Sequence, residues 1–124
     1  MSIPLLAAAG LTALLAVAHS YLGERYLLTR LFRRGGLPEL FGGIEFTQRT
    51  LRFAWHLTSV AWMGLAALPT ALAVSQNGAG PTEVRLISVT FALSGVLALV
   101  GSRGRHLSWV VFLAIAGLAW LGGR

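Results

Sequence analysis

Four apolar runs separated by three polar connections divide the chain. The first covers residues 3–22, about the 20 residues an α-helix needs to cross the hydrocarbon core of a bilayer. Ala16-Val17-Ala18 resembles a small-x-small cleavage site. The run is nevertheless long for a signal peptide and has no basic residue before it, so an uncleaved anchor is expected. Within it Ala8, Thr12, Ala16, Ser20 and Glu24 recur at every fourth position. Residues so spaced share a helix face, and a face of small residues lets helices approach closely in lipid. The second run covers residues 50–74 and contains Pro69, which removes a backbone donor and predicts a kink. The third covers residues 82–100 behind Pro81-Thr82-Glu83, with proline early and an acid in the first turn. Thr90, Ser94, Ala98 and Ser102 repeat the spacing of four, which predicts a second seam able to pack on the first. The fourth run, residues 106–121, is slightly short, with Trp109 and Trp120 near its ends as interfacial anchors.

The connections are unequal. From Gly23 to Arg34 the pattern stays helical but turns amphipathic: Tyr26, Leu27, Leu31 and Phe32 alternate with Arg25, Arg30, Arg33 and Arg34. A helix of that kind lies at the headgroup level or carries the first span into water. Gly35-Gly36 and Leu37-Pro38 should stop it. Residues 37–46 are too apolar for a solvated loop and too short to span, so they read as an interfacial or re-entrant segment. Residues 75–81 and 101–105 are short turns. The expected fold is an all-α integral membrane protein, one transmembrane domain built as a four-transmembrane-helix antiparallel bundle, with the interfacial or re-entrant segment between helices 1 and 2.

Composition agrees. Hydrophobic residues make up 56% and charged residues 11%, with a mean hydropathy of +0.73; a soluble domain carries about a quarter charged residues. The net charge of +6 comes from ten arginines and no lysine against four glutamates. Because these arginines flank apolar spans, anionic lipid headgroups are the expected partner and nucleic acid is not. A homo-oligomer or a partner membrane subunit is also compatible with the small-residue seams. Cysteine is absent, which excludes disulfides and thiolate chemistry. The first connection carries Arg25, Arg30, Arg33, Arg34, Arg49 and Arg52 and the third Arg103 and Arg105, whereas the second offers only Arg85 beside Glu83. The positive-inside rule then puts connections one and three in the cytoplasm and both termini outside, in what reads as a bacterial inner membrane.

That orientation gathers the three histidines. His19 closes the first span, His56 opens the second after Arg52-Phe53-Ala54-Trp55, and His106 opens the fourth after Arg105. All three, with Glu24, fall at the cytoplasmic boundary, where an imidazole is costly unless partnered. Three readings follow. Each histidine caps a helix or bonds a neighbour. Alternatively, His19, His56 and His106 with Glu24 bind a transition metal ion. Or His56 and His106 hold b-type haem, with Arg52 or Arg105 pairing its propionates. His19 and Glu24, about 140° apart on a straight helix, share an ion only if the helix loosens at Gly23. Ser20 and Glu24 do share a face, so Glu24 is also placed to orient a neighbour's histidine or to pair with Arg25 or Arg52.

No HExxH, P-loop, GxSxG or dinucleotide fingerprint is present, and no catalytic residue is assigned at this level. With no aspartate in the chain, any Ser-His-acid relay would need glutamate. His-Ser-x-x-Gly-Glu followed by Trp-His resembles, in layout only, small bacterial four-span proteins. The expected function is a cytoplasmic-side histidine/carboxylate site for a metal ion or haem. The alternative is a non-catalytic accessory or assembly subunit that binds partner helices and lipid.

Overall fold

A computed structural model describes every residue except 40–41, 76–79 and 124. The described residues form α1 (Ile3–Leu22), a π-helical segment (Gly23–Leu28), α2 (Thr29–Arg34), α3 (Ile44–Val74), α4 (Pro81–Ser102) and α5 (Ser108–Gly122). Three stretches, Ile3–Arg34, Ile44–Val74 and Pro81–Ser102, are long and apolar enough to cross a membrane, and Ser108–Gly122 is a shorter apolar helix. Leu14, Val17, Phe53, Val60, Leu97 and Val100 are exposed. In water they would form an aggregation-prone surface; facing lipid, they are the expected coat.

The first helix does not stop where its apolar run ends. No proline lies between Leu22 and Arg34, and Gly23 loosens the helix without ending it, so the chain stays helical through the basic stretch until Gly35 (φ 72°) and Gly36 (φ 77°) turn it away. These 32 residues extend about 48 Å at 1.5 Å per residue, well beyond the ~30 Å hydrocarbon core. The second helix starts at Ile44, six residues before the expected position 50, because Ile44 to Arg49 join it as its first turns. What remains of the expected interfacial segment is a short connection. It is tied down by Thr47, whose hydroxyl donates to the Pro38 carbonyl at 2.7 Å; Leu40 and Phe41 lie outside the described residues. Pro69 sits buried within α3.

The chain packs as two compact units, Met1–Ala13 with Gly64–Arg124, and Leu14–Met63. In the first, the Ser2 amide donates to the Ala73 carbonyl at 3.1 Å and the Ser2 hydroxyl to the Gly122 carbonyl at 3.2 Å. A Cβ on Gly122 would lie 2.6 Å from Leu5, and one on Gly123 2.5 Å from Val84. The starts of α1 and α4 therefore meet the ends of α3 and α5, as antiparallel succession requires. α4 and α5 form a hairpin. Phe91 and Phe112 lie 6.1 Å apart, and Ser88 donates to the Ala116 carbonyl at 2.9 Å. A Cβ on Gly95 would lie 2.8 Å from Leu113. Arg103 (φ 50°) and Gly104 (φ 76°) make the turn, with the Gly104 amide on the Leu99 carbonyl at 2.8 Å.

Of the two expected seams, the first is buried over Ala8, Thr12 and Ala16, and its Ser20 and Glu24 end is half-buried. Ala8 and Thr12 are fully buried and Ala16 nearly so. The α4 seam is not: Thr90 is exposed and Ser94, Ala98 and Ser102 only half-buried. Thr90 and Ser94 return their hydroxyl protons to Leu86 and Thr90 carbonyls of their own helix. The face α4 buries is Val84, Ile87, Ser88, Phe91 and Gly95. It wins because α5 offers Phe112, Ile115, Ala116 and Ala119, a bulky surface that interlocks with Phe91 and requires a glycine opposite.

Candidate functional site: a histidine–carboxylate network beside an arginine groove

The second unit, Leu14–Met63, holds most of the chemistry. Its organising contact is Gly23 against Trp55. A Cβ on Gly23 would overlap the indole ring, so only glycine lets the tryptophan seat there. The Trp55 indole N–H donates to the His19 carbonyl at 3.0 Å. From Gly23 the helix widens into the π form, a rare geometry that is frequent at functional sites. Thr29 closes this segment: its backbone N–H and its hydroxyl (2.7 Å) both donate to the Glu24 carbonyl, five residues back.

Beside that loosened turn, four side chains join the first helix to α3. Ser20 and Glu24 stand one turn apart, with the His56 ring between them. Ser20 Oγ lies 2.6 Å from His56 Nδ1, and His56 Nε2 lies 3.2 Å from Glu24 Oε2. Arg52, one turn before His56, grips the same carboxylate. Its Nε is 3.1 Å from both Glu24 oxygens and a terminal nitrogen is 3.0 Å from Oε1. Proton positions follow from the inventory. An ionised carboxylate only accepts, so Nε2 carries the ring proton and donates to Glu24. In the neutral ring, Nδ1 is then the acceptor and Ser20 the donor. Glu24, about one-third exposed, is the acceptor that holds both Arg52 and His56.

This network forms one wall of a groove of about 940 Å³ lined by Val17, Ser20, Tyr21, Glu24, Arg25, Tyr26, Thr29, Arg30, Arg33 and His56. The Arg25 and Arg30 guanidinium groups lie 5.8 and 5.7 Å from the centroid of the Tyr26 ring, within cation–π range. Among the described residues the ion pairs are Arg49–Glu45, Arg52–Glu24 and His56–Glu24. Arg25, Arg30 and Arg33 therefore bring three positive charges to the groove with no carboxylate among the described residues paired to them.

The other expected site residues lie in different surroundings. The helix does loosen at Gly23, as shared use of His19 and Glu24 would require, yet the two side chains go to different partners. The His19 ring stacks on Trp55 (centroids 4.3 Å, planes 3° apart) and packs against Trp62 at 4.7 Å. His106, in the first unit, is exposed and serves the start of α5. Its Nδ1 is 2.8 Å from Ser108 Oγ and accepts the Ser108 amide at 3.3 Å, while its own amide donates to Ser102 Oγ at 3.2 Å. Arg105 is exposed in the same turn, its amide on the Ser102 carbonyl. Arg52 is already engaged by Glu24. Among the described residues no group of three or more His, Asp or Glu side chains is placed to hold a metal ion.

Sequence reasoning found His56, Glu24, Arg52 and the Ser20–Glu24 face. It did not assign Trp55, Tyr21, Tyr26 or Thr29 to a site. For Tyr26 and Thr29 the signal was the amphipathic stretch after Gly23, which reads equally well as a membrane-surface helix; for Tyr21 and Trp55 spacing gave no signal of a site. Comparison with family models, characterised proteins and solved structures finds no match.

Proposed function

We propose that this is a small inner-membrane protein whose cytoplasmic-side histidine/carboxylate site binds the anionic headgroup of a phosphate-bearing amphiphile. The observation that carries this reading is the groove: three arginines with no carboxylate partner among the described residues, two tyrosines and Val17 lie beside the His56–Glu24 pair. Guanidinium groups suit phosphate oxygens through paired, charge-assisted hydrogen bonds. Tyrosines and an apolar residue suit the region where headgroup meets acyl chain. The arginine asymmetry of the connections supports a cytoplasmic position.

A metal ion or haem at His56 would have to displace either Ser20 or Glu24, because both ring nitrogens are engaged. The headgroup reading requires no such exchange and is preferred for that reason. A second reading, an accessory subunit that packs on a partner helix, draws support from the α4 stripe Thr90, Ser94 and Ala98, which the chain leaves partly uncovered.

The test is lipid binding to the purified full chain by native mass spectrometry, with phosphatidylglycerol set against phosphatidylcholine. Each basic residue near an anionic headgroup is worth about 1 kcal/mol. Replacing Arg25, Arg30 and Arg33 together by Gln should therefore weaken phosphatidylglycerol binding about 100-fold. Competition by inorganic phosphate alone would point to a soluble phosphate ligand instead. Unchanged phosphatidylglycerol binding in the triple variant overturns the proposal. Stoichiometric metal or a Soret band lost in His56→Ala would replace it with the metal or haem reading.

A further inference from the structure

We propose that Ser20 is a nucleophile, with His56 as its base, for acyl transfer from a carboxylic ester of the anionic amphiphile. This rests on the headgroup reading above. It begins from the partner of the Ser20 hydroxyl. A hydroxyl inside a helix ordinarily bonds the carbonyl four residues back, and Thr12, Thr58, Thr70, Thr90 and Ser94 all do so. Ser20 bonds His56 Nδ1 instead, at 2.6 Å. Its base is oriented in turn by a third group, since His56 Nε2–H donates to Glu24 and Arg52 fixes that carboxylate from the other side. A nucleophile in hydrogen-bond reach of a base that is itself held by an acid is the signature of an activated hydroxyl. The glutamate that a relay in this chain would need is thus present at the required place. The ring is used in the opposite sense to the serine-protease arrangement, with Nδ1 toward the serine and Nε2 toward the acid; roles and geometry, not atom labels, define the relay.

Ser20, His56 and Glu24 all line the groove that carries Arg25, Arg30 and Arg33, so the hydroxyl and the headgroup site share one opening. In the first step Ser20 Oγ bonds the ester carbonyl carbon and its proton passes to His56 Nδ1. The carbon–alkoxy oxygen bond then breaks, and His56 returns the proton to the leaving alcohol. In the second step water attacks the acyl-Ser20 carbonyl, gives its proton to Nδ1, and the Ser20–acyl bond breaks as Oγ regains a proton. The products are a carboxylic acid and an alcohol, with no oxidant or reductant involved. Ser20 and His56 are the catalytic residues; Glu24 and Arg52 are positioning residues.

The test uses the full chain in detergent with an alkyl fluorophosphonate, which bonds an activated serine oxygen and releases fluoride, read by intact mass and peptide mapping. One adduct on Ser20 is expected, absent in Ser20→Ala and slowed about 100-fold in His56→Gln, the scale of general-base assistance. Glu24→Gln should slow it by a smaller factor. The chain has no cysteine, so Ser20→Cys introduces a single thiol and gives an independent measure. Its alkylation by iodoacetamide should be at least about 10-fold faster than in Ser20→Cys/His56→Gln, since the thiolate is the reacting form. Protein that binds phosphatidylglycerol but forms no adduct overturns the nucleophile and leaves the headgroup reading standing. So does an adduct that persists in Ser20→Ala, or equal alkylation rates in the two cysteine variants. Loss of phosphatidylglycerol selectivity in the unmodified chain overturns the headgroup reading itself.

Discussion

The two compact units solve the same problem differently. In Met1–Ala13 with Gly64–Arg124, polar side chains return to nearby backbone. Thr70, Thr90 and Ser94 bond their own helices, and His106 serves the turn before α5. Ser2 and Ser88 do reach another helix, and each ends on a carbonyl. In Leu14–Met63, Ser20, Glu24, Arg52 and His56 are spent on one another across two helices. Side chains that satisfy backbone locally stabilise a helix whatever lies beside it. Side chains that satisfy each other fix a register between helices, and they leave titratable and nucleophilic atoms where a ligand can meet them. The contrast separates His56 from His106, which look alike in sequence.

Several substitutions press on that contrast, and the largest effect should come from Gly23→Leu. The new side chain must displace the Trp55 indole and with it the bond to the His19 carbonyl. Overpacking of this kind costs about 3 kcal/mol, measurable as reduced resistance to unfolding in an SDS titration, and binding of phosphatidylglycerol should fall with it. Full stability in Gly23→Leu would mean that the Trp55 contact does not organise the second unit. Next comes Glu24→Ala, which strips Arg52 and His56 of their shared acceptor, a loss of about 2 kcal/mol by the usual scale for hydrogen bonds to charged groups. Because Arg52 and Glu24 are partly exposed, their coupling in a Glu24→Ala/Arg52→Ala double-mutant cycle should be only about 1 kcal/mol. A coupling of zero would break the network into independent contacts.

In the first unit the effects should be smaller and silent on ligand. Ser88→Ala removes the bond to the Ala116 carbonyl, worth about 0.6 kcal/mol for a hydrogen bond between membrane helices, with phosphatidylglycerol binding unchanged. His106→Ala removes a helix-start contact at an exposed position, about 0.5 kcal/mol. If His106→Ala instead abolished ligand or metal binding while His56→Ala did not, the division of roles between the two histidines would be reversed.

Much of the helical layout was legible in the sequence, because apolar length is a one-dimensional property. The helical pattern that continues past Leu22 through the basic stretch is seen as helix to Arg34, and Pro81 and Glu83 mark the start of α4. The errors fell where two helical stretches join without a breaker. Residues 37–46 read as an interfacial or re-entrant segment, too apolar for a solvated loop and too short to span, yet Ile44 to Phe46 open α3. The α4 seam failed for a different reason: small residues permit close packing but do not compel it, and Phe91 opposite Phe112 claimed the other face. At the site, the spacing of Ser20 and Glu24 showed their common face, and the equal standing of three histidines was the part that spacing left open.

Residue order by itself determined that this chain is built of apolar helices with arginine-rich connections. Hydrophobic length and charge are sums along the chain, and neither depends on what packs beside them. Only the tertiary structure decided that His56, and not His19 or His106, stands between Ser20 and Glu24. That choice depends on how each helix is rotated about its axis, and the rotation is set by contacts such as Trp55 on Gly23 and by the π-helical turn that follows. Such contacts are pairings between residues some thirty positions apart, and no local pattern records them.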